Sequence, residues 1–211
     1  MKKVTLYGYR YSVYTWIARA TLVEKGVCYD YAEINPFALT YNNSYLRIHP
    51  FKRVPALEHD NFGLYETAAI TRYIDKAFQG PCLQPNDPKD LARMTQIISI
   101  IDAYAFEPMM RKAYTNRVAC KQYKFRADEF VFAQAMTESQ SALAALNRLI
   151  ADSEFLCGDK LSLADLHFAP VIDYFHMFDE GAEMLLDSEK ISNWYQSIRT
   201  RPSIESTRPS F

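Results

Sequence analysis

The sequence predicts a two-domain protein, with an α/β domain over residues 1–79 and an all-helical domain over residues 89–211. Before residue 79, short runs that alternate apolar and polar residues are separated by stretches with helical spacing, a pattern typical of mixed strands and helices. Residues 80–88 contain Gly-Pro and Pro-Asn-Asp-Pro, which indicate a linker. After residue 88 the apolar positions recur at helical spacing, so we expect only helices there.

The composition argues against several classes of function. Of the 211 residues 49% are apolar, which is ample for a buried core, and the net charge of −1 gives no electrostatic reason to expect nucleic acid or a membrane as a partner. The cysteines have neither metal-site spacing nor disulfide-scaffold density, so we expect no metal and a reducing compartment; they are Cys28, Cys82, Cys120 and Cys157. No apolar stretch reaches the roughly 20 residues of a spanning helix, and the N-terminal pattern is not that of a signal peptide. We therefore expect a soluble, cytoplasmic protein.

The first domain opens with a strand, a helix and a second strand. Gly26 is a good stop signal for the helix. This order implies a parallel, right-handed crossover. A short helix is expected before the next strand. The predicted ranges of these four elements are 3–7, 13–25, 28–34 and 43–48.

A second unit follows around Pro55. Because proline cannot donate to a sheet ladder, and because it holds Val54 extended, a strand should begin at this point. Residues 58–63 are turn-forming, the strand pattern resumes at Leu64, and Thr67 opens a helix with an apolar face. The complete order, βαβ and then ββα, is that of a thioredoxin-like domain.

The remaining elements are helical. We expect a first helix through Leu91 and Ile101 that Pro108 kinks. Ser162 and Asp165 have the spacing of a capping box, which we interpret as structural. Three further helices are predicted at residues 123–151, 163–178 and 188–200.

Val54-Pro55, followed about ten residues later by Glu66-Thr67, resembles the tripeptide-binding signature of the glutathione transferases. The resemblance covers essentially the whole chain, since the segment around Ser162 also resembles that family's helical-domain motif. It implies a cis bond before Pro55, which leaves the main chain of Val54 free to pair with an extended peptide. It also implies that Thr67 receives a carboxylate at the helix N-terminus and that Glu66 receives an ammonium. The alternative is an ordinary turn and an ordinary helix cap.

Residues 6–19 are similar, without gaps, to the start of the zeta-type transferases and maleylacetoacetate isomerases, within a serine class that includes phi-type and theta-type members. This resemblance implies that Ser12 activates the glutathione thiol. Trp16 and Arg19 also match, whereas Val13 and Tyr14 depart from the pattern of that class. The alternative role for the serine is a helix N-cap. Tyr7 and Tyr9 are rival hydroxyl donors, because other transferase classes use a tyrosine at the end of the first strand.

Further candidates complete the site. Arg53 is the first candidate for the glycyl carboxylate of glutathione, Lys52 and His49 are weaker ones, and Tyr41 stands where some relatives carry another lysine. Candidates for the wall of the electrophile site are aromatic or thioether side chains: Tyr9, Tyr11, Tyr104 and Met109.

The resemblance implies a glutathione transferase that conjugates glutathione, its co-substrate, to an apolar or aromatic electrophile. It further implies a cytoplasmic detoxification enzyme that forms a homodimer. Two alternatives remain open: a glutathione-dependent isomerase or disulfide reductase on the same site, and a non-catalytic binding or regulatory protein of the same fold.

Overall fold

The computed structural model describes residues 3–38 and 43–210. By its contacts the chain divides into two compact units, one formed by Met1–Gln84 together with Pro202–Phe211 and the other by Pro85–Arg201. The sequence had assigned the last ten residues to the helical domain, whereas their contacts belong to the first unit.

A four-stranded mixed sheet forms the first unit. Its strands are β1 (Val4–Gly8), β2 (Asp30–Glu33), β3 (Ala56–His59) and β4 (Phe62–Tyr65). Its helices are α1 (Val13–Glu24), α2 (Asn43–Ile48) and α3 (Thr67–Ala77). The strands lie in the order β2-β1-β3-β4, with β1 and β2 parallel and the other two pairs antiparallel. This strand order confirms the predicted thioredoxin-like arrangement.

The core of this unit explains why the elements form where they do. Alternate residues of β1 are buried, and Leu6 lies opposite Leu57 of β3 in the sheet register. The apolar faces of α1 and α3 pack on the same cluster, whose buried members are Val4, Leu6, Ala18, Leu22, Leu57, Ile70 and Ile74. Burial of these side chains fixes the end of β1 and the starts of α1 and α3, where the candidate residues lie.

The C-terminal tail packs against α1. The tail consists of the short helix α10 (Pro202–Glu205) and the residues after it. It binds the side chains of Trp16 and Arg19, which match the transferase pattern in residues 6–19 but had been given no role. The Nε1 of Trp16 donates to the carbonyl of Ile204 over 3.2 Å, and the guanidinium of Arg19 donates to the carbonyl of Thr207 over 3.2 Å. Trp16 and Arg19 are therefore anchors for the tail.

A buried ion pair holds the start of the linker on the first unit. The ammonium of Lys25 lies 3.1 Å from a carboxylate oxygen of Asp75 and also donates to the carbonyl of Pro81. The same carboxylate accepts from the main-chain N–H of Leu83 and the side-chain amide of Gln84. Because both charges are almost fully buried, these additional hydrogen bonds offset the cost of their desolvation.

The second unit is helical, as predicted. Its helices are α4 (Pro88–Ile100), α5 (Cys120–Tyr123), α6 (Glu129–Leu149), α7 (Leu163–Phe175), α8 (Asp179–Leu186) and α9 (Glu189–Ile198). Two π-helical segments, Ile101–Ala105 and Glu107–Ala119, connect α4 to α5. The predicted kink at Pro108 thus falls in a stretch of widened helix.

Two helix boundaries differ from the prediction. The helix expected over 123–151 begins only at Glu129, because Lys124 adopts a left-handed conformation (φ 56°) that ends α5 and Asp128 then caps α6. The sequence had also extended α7 to Phe178, but the helix ends at Phe175 and Phe178 precedes α8, which had not been predicted.

The capping box is confirmed. The side chains of Ser162 and Asp165 cap α7 reciprocally. The buried carboxylate of Asp165 also accepts from the N–H of Leu156 and from the indole of Trp194, over 2.8 and 2.9 Å. Asp165 thereby joins three segments of the second unit. In the described parts of the chain, every helix is too short or too polar to span a bilayer.

Candidate active site

The peptide bond between Val54 and Pro55 is cis, as expected. It lies immediately before β3, which begins at Ala56. Among the described residues, the main chain of Val54 has no hydrogen-bond partner, although the side chain is half-buried. A free N–H and a free C=O just before a strand can pair with an extended peptide in the manner of an added strand.

Glu66 and Thr67 form the turn from β4 into α3. Glu66 has φ 72° and ψ 115°, a region that L-residues rarely occupy, and its exposed carboxylate makes no capping bond to the helix. Thr67 is the first residue of α3 and is buried. The arrangement leaves an acidic side chain beside a helix N-terminus whose first N–H groups suit an anion.

Ser12 lies between β1 and α1, where it caps the helix. Its Oγ accepts a hydrogen bond from the N–H of Thr15 over 3.3 Å. Among the described residues the hydroxyl of Ser12 has no acceptor for its own hydrogen. The capping role and a donor role are therefore compatible, because a hydroxyl can accept and donate at once.

The chain approaches itself closely on this loop. A Cβ added at Gly8 would lie 2.3 Å from the methyl group of Thr15, so only glycine fits there. The N–H of Tyr9 donates to the hydroxyl of Thr15, and the N–H of Ser12 donates to the carbonyl of Tyr9 over 2.8 Å. These contacts fix the position of Ser12 relative to the end of β1.

The two rival tyrosines differ in their surroundings. The hydroxyl of Tyr7 donates to the carboxylate of Glu58 over 2.9 Å. Burial, together with this hydrogen bond to Glu58, raises the pKa of Tyr7. Tyr7 thus has its donor occupied and resists ionisation. Tyr9 is half-buried and its ring makes edge contacts with Tyr11 and Phe37.

The two candidate cations precede the cis bond in the chain. Lys52 and Arg53 are both exposed, and Lys52 has a left-handed main chain (φ 57°). The carbonyl of Arg53 accepts from the hydroxyl of Tyr45, which the sequence had not singled out. Tyr41, the other position considered, lies outside the described residues.

His49, the other weaker candidate for the glycyl carboxylate, is buried. The residue is 3% exposed, and its ring stacks on Tyr65 with a centroid distance of 4.9 Å. The spacing of four residues between Tyr45 and His49 on one helical turn was the signal that could have indicated a buried pair.

The electrophile-site candidates occupy different environments. In the first unit, Tyr9 and Tyr11 are half-buried. In the second unit, Tyr104 is 67% exposed on the first π-helical segment, whereas Met109 is fully buried, which favours a packing role for this methionine.

Comparison with known proteins identifies two family models along the chain. Residues 2–76 match the glutathione S-transferase N-terminal domain, and residues 97–202 match the glutathione S-transferase C-terminal domain. A glutathione S-transferase from Hyoscyamus muticus is 30% identical over 188 residues, which cover 87% of each chain. Glutathione S-transferase F9 from Arabidopsis thaliana is 26% identical over 193 residues, or 90% of this chain and 89% of that protein.

Solved structures show the same fold. Glutathione transferase F7 from Populus trichocarpa superposes with a TM-score of 0.84 at 23% identity and covers 97% of each chain. A theta-class glutathione S-transferase from Xanthomonas axonopodis pv. citri, solved with glutathione bound, has a TM-score of 0.85 at 22% identity, and the match covers 100% of this chain and 99% of that one.

Proposed function

The chain belongs to the glutathione S-transferase family and is a glutathione transferase, and from that premise we propose that it binds glutathione along Val54, Glu66 and Thr67 and activates the thiol with Ser12. One observation carries this proposal: the hydroxyl of Ser12, at the N-terminus of α1, has a hydrogen to donate after it has capped the helix.

The binding mode follows from the free polar groups. The main chain of Val54 pairs with the cysteinyl residue of the tripeptide in an antiparallel fashion. The carboxylate of Glu66 receives the γ-glutamyl ammonium, and Thr67 with the first N–H groups of α3 receives the γ-glutamyl carboxylate. Arg53 receives the glycyl carboxylate at the other end, and Lys52 adds to the positive field there.

The chemistry requires only an ionised thiol. A cysteine-type thiol has a pKa of about 8.5, and lowering it by about two units takes roughly 2.7 kcal/mol. A hydrogen bond from Ser12 to the thiolate supplies about 1.5–3 kcal/mol. The N-terminus of α1 adds up to about 1 kcal/mol. The thiolate sulfur then donates its electron pair to an electrophilic carbon, a C–S bond forms, and the leaving group departs with the electron pair of the broken bond.

Tyr7 is the weaker candidate for this role. Its hydroxyl is already bonded to Glu58, so donation to a thiolate would break an existing charge-assisted hydrogen bond. Ser12 has no such bond to break. This difference supports the serine as the activating group.

The co-substrate we propose is an apolar or aromatic electrophile. Tyr9 and Tyr11 contribute aromatic surface on the loop that carries Ser12. Within the family we propose a serine enzyme of the phi type, and the plant relatives support this choice over the zeta type. A cytoplasmic homodimer is part of the same proposal.

Two measurements test the function. The protein should be retained on immobilised glutathione and should conjugate glutathione to an activated aryl halide, and Ser12→Ala should lose most of the conjugation at neutral pH while it is still retained. Retention without conjugation by the wild type would instead favour a non-catalytic binding protein. Turnover of maleyl-type acids or mixed disulfides in place of the aryl halide would favour the isomerase or the reductase.

A further inference from the structure

Four aromatic rings of the first unit contact one another in a column that reaches from β1 through α2 to β4. Tyr7 of β1 contacts Tyr45 of α2, with ring centroids 5.8 Å apart. Tyr45 contacts His49 at 6.3 Å, and His49 stacks on Tyr65 of β4 at 4.9 Å with an angle of 30° between the ring planes. The ring of His49 is thus the link between the α2 side of the column and β4.

The column is also connected to the main chain that leads into the cis bond. The N–H of His49 donates to the carbonyl of Tyr45 over 2.9 Å, and the N–H of Lys52 donates to the carbonyl of His49 over 3.2 Å. The hydroxyl of Tyr45 donates to the carbonyl of Arg53, the residue before Val54. Hydrogen bonds made by Tyr45 and His49 therefore fix the main chain immediately before Val54.

The other end of the column leads to Glu66. Tyr65, on which His49 stacks, is the residue before Glu66, and Glu66 itself has an unusual main-chain conformation. A single buried ring therefore connects the segment that leads to Val54 with the residue before Glu66. In the proposed binding mode Val54 and Glu66 hold adjacent parts of the same tripeptide.

The charge state of His49 follows from its surroundings. Burial lowers its pKa, the carboxylate of Glu66 opposes that effect, and the guanidinium of Arg53 adds to it. Its Nδ1 is buried and has no hydrogen-bond partner among the described residues. The other rings in contact with His49 are those of Tyr45, Phe51 and Tyr65. His49 is therefore neutral near pH 7, and a proton on it would be poorly solvated.

We propose that His49 is a positioning residue for glutathione, which in its neutral form aligns the main chain of Val54 with the carboxylate of Glu66. Protonation draws the ring toward water and toward Glu66, where the imidazolium competes with the γ-glutamyl ammonium of the ligand. Affinity for glutathione thus falls in acid through His49, independently of the protonation of the thiol at Ser12. This inference rests on the proposed function.

The test is the affinity for S-methylglutathione, measured by calorimetry, since this ligand has no thiol to titrate. Between about pH 7.5 and about pH 5.5 the wild type should lose affinity severalfold, with an upper limit of about tenfold per pH unit because one proton is linked. His49→Phe, which keeps a ring and removes the proton, should bind with the same affinity at both pH values. Wild-type affinity that is equal at the two values would overturn the inference.

His59→Phe is the matched control. His59 is also a buried histidine of the first unit, but its Nδ1 bonds the hydroxyl of Tyr73 over 2.8 Å and its ring packs on Phe78, at the end of β3 away from Pro55. This variant should keep the pH dependence of the wild type. If it loses that dependence as His49→Phe does, the effect belongs to histidine burial in general and the assignment to His49 is wrong.

Steady-state kinetics separate positioning from simple loss of structure. In acid, kcat at saturating glutathione should fall equally in the wild type and in His49→Phe as the bound thiol is protonated. Only the wild type should also show a raised KM for glutathione, whereas partial unfolding of one protein would lower its kcat more than that of the other. If His49→Phe does not fold, NMR titration of His49 in the wild type decides the question, because linkage requires S-methylglutathione to lower the pKa of His49. An unchanged or raised pKa would refute the proposal. Absence of binding at every pH would instead refute the proposed function.

Discussion

Replacement of Ser12 by alanine removes two interactions at once. The Oγ accepts a bond from the N–H of Thr15 at the start of α1, and in the proposed complex its hydrogen is donated to the thiolate. The first loss affects the folded protein, and the second affects only the bound thiol. A useful experiment must separate these effects.

The two losses can be separated because one appears in stability and the other in the thiol pKa, and because glycine and alanine differ only in the first. Loss of a serine N-cap to alanine costs about 0.5–2 kcal/mol of stability, whereas replacement by glycine costs only a few tenths. Loss of the hydrogen bond to the thiolate is worth about 1.5–3 kcal/mol, which raises the pKa of the bound thiol by about 1–2 units at 1.36 kcal/mol per unit. Glutathione affinity should stay near the wild-type value at a pH where the thiol is protonated.

The assay is the pH titration of bound glutathione by its ultraviolet thiolate absorbance, with urea unfolding measured in parallel. Ser12→Ala and Ser12→Gly should raise the thiol pKa equally, although they differ in stability, and Ser12→Thr should keep both the cap and the low pKa. An unchanged thiol pKa in the alanine and glycine variants would show that another group, first of all Tyr9, activates the thiol.

Three further outcomes are expected. Glu66→Gln should raise the KM for glutathione by roughly tenfold with little change in kcat, because a charge-assisted bond to the γ-glutamyl ammonium is lost, and a larger effect on kcat than on KM would contradict that role. Asp165→Asn should lower the free energy of unfolding, measured in urea, by about 2–4 kcal/mol, since buried donors lose their acceptor, and should leave the affinity of the folded protein for glutathione unchanged. Although burial on its own would raise the pKa of Asp75, hydrogen bonds from Gln84, Leu83 and Lys25 hold it below the ordinary value of 3.8. Its carboxylate therefore stabilises the fold above about pH 4, and this contribution is lost as the pH falls through the lower folded-state value, so wild-type stability should decline more steeply in that range than that of Asp75→Asn.

Local signals predicted most of the fold. The alternation of apolar and polar residues predicted β1, and Gly26 predicted the end of α1. In the structure Gly26 has the left-handed main chain (φ 64°) that glycine allows. The spacing of Ser162 and Asp165 identified the start of α7 from four residues. Each of these signals acts within one or two turns of chain, which is why it can be recognised without the tertiary structure.

The features that were not predicted from the sequence have a different origin. The burial of His49 depends on rings from α2 and β4 that are adjacent only in the folded unit. The bond from Trp16 to Ile204 joins residues 188 positions apart, and no periodicity marks it. The left-handed residue that ends α5 is Lys124, and a lysine gives no sign of that conformation.

The candidate site was only partly accessible to the same reasoning. The resemblance to the glutathione transferases supplied Val54-Pro55 and Glu66-Thr67 as candidates, whereas the local patterns by themselves indicated only a turn and a helix start. The cis bond at Pro55 and the start of α3 at Thr67 agree with both interpretations. The engagement of Tyr7 by Glu58 could not be predicted, since it depends on the register of β1 against β3, where Glu58 lies opposite Thr5.

The anchoring of Trp16 and Arg19 by residues near the end of the chain limits how this protein can be divided. In sequence, the helical unit is an insertion between two pieces of the first unit. A recombinant fragment cut after Gln84 would leave the indole of Trp16 without the carbonyl of Ile204 and would uncover a ring that is 1% exposed in the whole protein. Studies of the isolated first unit therefore need the C-terminal tail restored, for example by circular permutation.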